Sequence, residues 1–306
     1  MPGPYALSAS AVFMLTRIAY RFTVRRAILG ECPLRYPAPL LKSQLMSRPK
    51  KQKEPAGPQG GLPSVIIWIL TVLITALIST FGVLILWPIS QILDRRLFMM
   101  HNAARLWGWL IIQINPSWRS QITGLENLSV RENYVIIANH QSIADILVLL
   151  AIFPLQFKFV AKRELYKVPF LGWHMAASGY MALDRASPES GKAIMLKAMG
   201  WLKRGASVLF FPEGTRSRDG RIYPFKLGAF KVACESGCKI LPIVIDGTGS
   251  AVPKHSWKLT TPSFFRVAVG VPVSLEHVKP EELAKAAESV RQEMTTRLQA
   301  MRLKTA

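Results

Sequence analysis

The chain has 306 residues, half of them apolar, with 39 Lys and Arg against 18 Asp and Glu and a mean hydropathy of +0.23. That length and apolar share exclude a disordered or fibrous chain and allow a sizeable core. A net charge of +21 beside a positive mean hydropathy is not the balance of a free cytosolic enzyme. It points to apolar surface given to lipid and basic surface given to phosphates, anionic headgroups or nucleic acid.

Residues 1–62 carry ten Lys and Arg and two acids, and end in a Pro/Gly/Lys stretch from Ser47 to Gly61. Such composition builds no core and is expected to be a disordered basic segment. Ala11 to Leu29 is mildly apolar but interrupted by Arg, unlike a secretory signal. A targeting peptide, or an upstream extension with the functional start near Met46, are both open readings of it. From Pro55 to Leu93 there is no charged residue, and Val65–Trp87 is almost continuously apolar. At roughly 1.5 Å per residue that run reaches about 35 Å, enough to cross a hydrocarbon core of about 30 Å. Trp68 and Trp87 stand near its ends, where indole favours the interface. Lys50, Lys51 and Lys53 on one side balance Arg95 and Arg96 on the other, so orientation, and whether the helix spans or re-enters, stays open. Beyond Pro88, residues 89–114 mix apolar and aromatic side chains with Asp94, Arg95, Arg96, His101 and Arg105. They read as an amphipathic helix in the headgroup layer, joined to the first at the proline. Residues 63–116 are thus expected to be a membrane anchor.

Residues 117–279 alternate apolar β-rich runs with helical stretches. Strands are expected at 134–138, 158–162, 207–211, 240–245 and 265–269, and helices at 145–151, 190–203 and 228–236. This predicts an α/β domain: a mixed, largely parallel sheet flanked by helices, preceded by the membrane-embedded helix or hairpin. Residues 280–306 place Leu283, Ala287, Val290, Met294, Leu298 and Met301 at helical spacing, an amphipathic C-terminal helix packed on the domain. Three cysteines, with Cys234 and Cys238 four apart and Cys32 remote, exclude a disulfide scaffold and a zinc knuckle.

The sequence lacks a Gly-x-Ser-x-Gly elbow, a Gly-x4-Gly-Lys-Ser/Thr phosphate loop, His-Glu-x-x-His and Gly-x-Gly-x-x-Gly. Gly247-Thr-Gly-Ser250 is too short to carry weight. Asn139-His140-Gln-Ser-Ile-Ala-Asp145 follows an apolar strand, the place where α/β sheets gather ligands. A turn from strand to helix lets Asp145 hold one ring nitrogen of His140, leaving the other to take a proton from a substrate hydroxyl. Asp145 also fits a capping box with Ser142, and the two roles can coexist. A metal role for His140 needs further ligands, and His174 stands isolated. Phe211-Pro-Glu-Gly-Thr-Arg-Ser217 ends a second apolar strand. Gly214 allows close backbone approach, Arg216 can fork onto a phosphate, Thr215 and Ser217 can donate hydrogen bonds, and Arg218, Arg221 and Lys226 deepen the positive field. Lys162-Arg163, with the segment to Trp173, mixes cations with large apolar groups, and Asp184-Arg185 closes a shorter run.

In order, Asn139-His140-x4-Asp145, Lys162-Arg163 with Val168-Pro-Phe-Leu-Gly172, Asp184-Arg185, Phe211-Pro-Glu-Gly-Thr-Arg-Ser217 and Leu241-Pro-Ile-Val244 resemble the 1-acyl-sn-glycerol-3-phosphate acyltransferases over residues 120–250. The resemblance implies transfer of a fatty acyl group from acyl-CoA or acyl carrier protein to the sn-2 hydroxyl of lysophosphatidate, giving phosphatidate. It implies His140 as base, Asp145 as its partner, Glu213, Gly214 and Arg216 as acceptor-binding residues and Arg185 as a further phosphate contact. No bound cofactor, metal or nucleic acid is implied. The thioester is a co-substrate, and the setting is a membrane with the catalytic domain facing the cytoplasm. Oxyanion donors near His140 or Gly214, and the oligomeric state, stay open. Two other readings are weighed: the same chemistry on glycerol 3-phosphate, another lysophospholipid or a lyso-aminolipid, and a non-catalytic basic module tethered to the membrane.

Overall fold

The computed structural model describes residues 62–184, 187–217, 219–252, 259 and 262–303, all within the unit Gly57–Ala306. The basic N-terminal segment, apart from Leu62, lies outside the described residues, as do Arg185 and Arg218. The apolar run forms α1 (Leu62–Phe81), which passes through a π-helical turn (Gly82–Leu86) into α2 (Trp87–Leu93). The expected break at Pro88 is not there. Proline removes an N–H and crowds the carbonyl four residues back, and here the preceding turn widens, so that the Trp87 N–H reaches Gly82 O. The helix ends instead at Asp94–Leu97, where the Asp94 carboxylate accepts from the N–H of Arg96 (3.2 Å) and Met99 (2.8 Å) and so caps α3 (Phe98–Gln113).

α3 also departs from the amphipathic helix expected over 89–114. Met100, His101, Ala103, Ala104, Ile111 and Ile112 are buried, and the helix packs chiefly on α4 (Ala144–Ile152). One face of it is a layer of the domain, while Leu106 and Trp109 stay exposed on the other. Along α1, Ile67 is buried in the same apolar core, Thr75 accepts from Trp107 Nε1 at 2.9 Å, and Gly82 lies against His174. Over that stretch α1 rests on the domain by one side, while Val72, Leu77, Phe81 and Leu84 stay exposed on the other.

Seven strands follow: β1 (Trp118–Thr123), β2 (Val135–Ala138), β3 (Phe157–Lys162), β4 (Met181–Leu183), β5 (Ser207–Phe210), β6 (Ile240–Asp246) and β7 (Ser263–Val269). Their order is β1-β7-β6-β2-β5-β3-β4, with every neighbour parallel except β6 and β7. This is the mixed, largely parallel sheet expected from the sequence. α5 (Leu171–Ala177), α6 (Pro188–Lys203), α7 (Gly228–Ser236) and α8 (Leu283–Leu303) complete the chain. Successive side chains of a strand point to opposite faces, so a central strand between two helical layers must be apolar throughout. In β2, Ile136 and Ala138 join the core under α3 and α4, while Val135 and Ile137 join the core under α6, α7 and α8. Each such fully buried Ile or Val contributes roughly 1.5–3 kcal/mol of transfer free energy.

The chain leaves β2 for β3 on one side and later returns through β6 on the other. The carboxyl ends of β6, β2 and β5 therefore open on a switch point, the crevice where such sheets take ligands.

Candidate active site

Three loops leave those three strand ends. After β2, Asn139 is buried and ties itself to β6, its side chain donating to Ile245 O at 2.8 Å and accepting from the Ile245 N–H at 2.7 Å. That anchor turns the chain so His140 emerges at the rim. Its Nδ1 lies 2.7 Å from Asp145 Oδ2, with the imidazole 14% and the carboxylate 0% exposed. Asp145 Oδ2 also accepts from the N–H of Gln141 (2.8 Å) and Ser142 (3.0 Å). The Ser142 bond is the one a capping box predicts, and the same carboxylate oxygen is in reach of the His140 ring, so one geometry is compatible with both readings of Asp145. With a carboxylate as acceptor, Nδ1 carries the hydrogen and Nε2 is left as the proton acceptor. The ring stacks on Phe211, centroids 4.1 Å apart and 23° between planes.

The loop after β5 brackets His140 from both sides. The His140 N–H donates to Glu213 Oε1 at 2.8 Å, and His140 O accepts from the Ser217 N–H at 2.7 Å. The other Glu213 oxygen accepts from the Tyr223 N–H at 2.9 Å. Burial pushes the Glu213 carboxyl above its ordinary range, with the Tyr223 and His140 N–H groups pulling it back. Gly214 has φ +70°, and a Cβ there would sit 3.0 Å from Lys226 Cε and Nζ, so the turn brings the Lys226 ammonium over the loop. Thr215 and Arg216 are exposed, and Arg216 has no ion-pair partner among the described residues.

His140, Arg216, Lys226 and Lys162 share one cavity of about 1470 Å³, which extends beneath α1 past Thr75 to His174. Lys162 pairs with Glu164 at 3.2 Å on the rim, and Arg163 with Asp184 at 3.4 Å. The structure thus brings His140, Asp145 and residues 213–217 together, places Lys162 at the same opening, and leaves Arg185 outside the described residues. The His140 and Gly214 N–H groups both donate within the protein, the latter to Phe211 O at 3.0 Å, so neither is a free oxyanion donor here.

A family model described as Acyltransferase matches residues 119–246. The 1-acyl-sn-glycerol-3-phosphate acyltransferase of Pseudomonas aeruginosa is 34% identical over 200 residues, covering 65% of this chain and 76% of that protein. The chain belongs to the 1-acyl-sn-glycerol-3-phosphate acyltransferase family. The chloroplastic family member BAT2 of Brassica napus is 39% identical over 188 residues, 61% of this chain and 54% of its own length. The chain spans about half the length of the two chloroplastic relatives from Brassica napus and Arabidopsis thaliana, 54% of one and 48% of the other. The crystal structure of the acyltransferase PlsC from Thermotoga maritima superposes with a TM-score of 0.60 at 28% identity, covering 78% of this chain and 98% of that one.

The sequence did not mark Phe211 as a ring partner, and it set Thr248 aside with the short run Gly247-Thr-Gly-Ser250. Phe211 was legible only as the last residue of an apolar strand. Thr248, fully buried after β6, donates its hydroxyl to Asp145 Oδ1 at 2.5 Å.

Proposed function

We propose that this protein is a membrane-seated O-acyltransferase that moves a fatty acyl group from a thioester, acyl-CoA or acyl-carrier protein, to the sn-2 hydroxyl of 1-acylglycerol 3-phosphate. The single observation behind the reading is the His140–Asp145 pair at 2.7 Å, opening on a cavity that also holds Arg216 and Lys226 and continues under an apolar helix. His140 Nε2 removes the hydroxyl proton as the alcohol oxygen attacks the thioester carbonyl carbon. The tetrahedral intermediate collapses with cleavage of the C–S bond, and the imidazolium returns its proton to the leaving thiolate. No covalent acyl-enzyme is needed.

Arg216 and Lys226 hold the phosphate of the acceptor, whose charge matches theirs. Thr215 and Ser217 flank that site, Lys162 stands at its opening, and Arg185 is a further phosphate contact on the resemblance alone. Gly214 shapes the turn. Glu213 acts on the backbone of the site, both of its oxygens being taken by N–H groups. The apolar part of the cavity takes an acyl chain, for which leaving lipid costs about 0.8 kcal/mol per CH₂.

The helix through Ser64–Leu93 would be about 45 Å long, more than a hydrocarbon core requires. Yet it rests on the domain along most of its length, with Ser64 and Ser90 buried, Ile67 in the core and Gly82 against His174, and a helix standing upright would drag charged elements of the domain into lipid. It lies along one leaflet, on the cytoplasmic side, with the catalytic domain, residues 117–279, against the surface. The assay is thiol release from an acyl thioester by purified protein in detergent, across a panel of acceptors. Release that demands a phosphorylated lysolipid supports the reading. Equal release with glycerol 3-phosphate or a lyso-aminolipid would assign another acceptor, and none at all would defeat it.

A further inference from the structure

We infer that Thr248 is a positioning residue for the catalytic pair, the third member of a His140–Asp145–Thr248 chain. The inference rests on the acyltransferase reading above.

The carboxylate of Asp145 is wholly buried. Its Oδ2 is shared by His140 and two backbone N–H groups, which fix one oxygen but leave the carboxylate free to pivot about it. The hydroxyl of Thr248 closes that freedom by binding the other oxygen at 2.5 Å. A carboxylate gripped at both oxygens holds the imidazole in one plane, aimed at the cavity and against the ring of Phe211.

The placement of Thr248 is built into the backbone. Gly247 has φ +87°, and a Cβ there would lie 2.1 Å from Phe264 O. Only glycine fits where β6 turns under the β2 loop. The residue before it, Asp246, accepts from Arg266 Nη2 (2.7 Å) and Arg302 Nη2 (2.9 Å), pinning the strand end to β7 and α8. The same Arg302 nitrogen donates to Gly220 O at 3.0 Å, on the segment that follows the 213–217 loop. Gln141, beside His140, donates from Nε2 to Asp246 Oδ1 at 3.4 Å. The segment Asp246–Thr248 is thereby held from one side by the frame and holds the catalytic pair from the other.

Thr248→Val keeps the shape and removes the hydroxyl; Thr248→Ser keeps the hydroxyl and removes a methyl. In the thiol-release assay Thr248→Val should lower kcat by about 10- to 100-fold, the range for losing a hydrogen bond to a charged group. The KM values for thioester and acceptor should stay within about twofold, and Thr248→Ser should recover most of the rate. A merely structural hydroxyl would give a lowered Tm with no kcat-against-KM split. Normal kcat in Thr248→Val, or a Ser variant as slow as the Val one, overturns the inference. The second readout needs no turnover: the downfield proton of His140 Nδ1–H, assigned by its loss in His140→Ala. It should move in Thr248→Val and return in Thr248→Ser. An unmoved resonance also overturns the inference, whereas wild-type protein that releases no thiol while the resonance does move would defeat the proposed function and leave this chain standing.

Discussion

Glu213→Gln separates two readings of the same residue. The resemblance assigns Glu213 to acceptor binding; the geometry has its two oxygens accepting from the N–H of His140 at 2.8 Å and of Tyr223 at 2.9 Å. Glutamine is nearly isosteric but offers one oxygen and one NH₂, so one of the two N–H groups must face a donor. A hydrogen bond to a charged group contributes roughly 1.5–3 kcal/mol, and orphaning a buried N–H costs about 1–3 kcal/mol. Against this, burial disfavours the ionised carboxylate and pushes its pKa up, and an uncharged amide relieves part of that cost. The net expectation is a loss of about 2–3 kcal/mol, or roughly 5–10 °C in Tm for a domain of this size. Turnover should fall with it, because the His140 main chain loses one of its two tethers. The assays are thermal unfolding in detergent and steady-state kinetics. If Glu213→Gln leaves Tm unchanged and raises only the acceptor KM, the tethering argument fails and the residue contacts substrate directly.

Four further outcomes are expected. His140→Ala and Asp145→Ala should each cut kcat by about 10²–10⁴, the scale of a lost general base, measured by thiol release with Tm checked alongside. Arg216→Ala should raise the acceptor KM by at least tenfold while the thioester KM holds, since a bidentate phosphate contact is removed and little else; equal effects on both substrates would misplace the phosphate. Phe211→Leu should slow turnover several-fold without touching either KM, because it removes the ring stacked on His140 and keeps the volume near constant. His174, whose pKa burial lowers to about 4 from an ordinary 6.5, gives a pH signature. The unfolded chain protonates this side chain first, so stability present above about pH 6.5 is lost as pH falls towards 4, by roughly 3 kcal/mol. His174→Leu should flatten that part of the Tm-against-pH curve, and an unchanged slope would contradict it.

The central sheet was legible because strands buried on both faces cannot avoid being apolar. β2, β5 and β6 announced themselves that way, and β3 and β7 by largely apolar, aromatic runs despite Lys158 and Arg266, each within two residues of its observed bounds. Of the two edge strands, β1 escaped notice and β4 was legible only as the short run closed by Asp184-Arg185. β1 alternates buried Trp118 with exposed Arg119 and Gln121, and β4 is three residues long. An edge strand needs apolar character on little more than one face, so its signal sinks into that of a loop. α5 escaped for another reason. It follows Phe170, a non-glycine residue with φ +62°, and no side-chain cap marks its start. The turn between the two N-terminal helices was misplaced for a local reason: proline stops a helix unless the preceding turn can widen, and Gly82–Leu86 widens, so the turn falls at Asp94–Leu97 instead.

The site divides along the same line. His140, Asp145 and residues 213–217 were legible because each block sits directly after an apolar strand and carries its chemistry within seven residues. Thr248 satisfies the first condition too, but it brings no chemistry of its own. Its hydroxyl acquires meaning only from a carboxylate 103 positions earlier, and that proximity is set by the order β6-β2-β5. Local pattern finds the groups that react, while strand order decides which neighbours aim them. Swapping strand order in thought makes the point: were β6 at the sheet edge, the same Gly247-Thr248 turn would face solvent, and Asp145 would keep three donors and lose the fourth. The rate penalty expected for Thr248→Val is therefore a measurement of topology as much as of one hydrogen bond, and its absence would mean that the three donors on Oδ2 suffice to aim the imidazole.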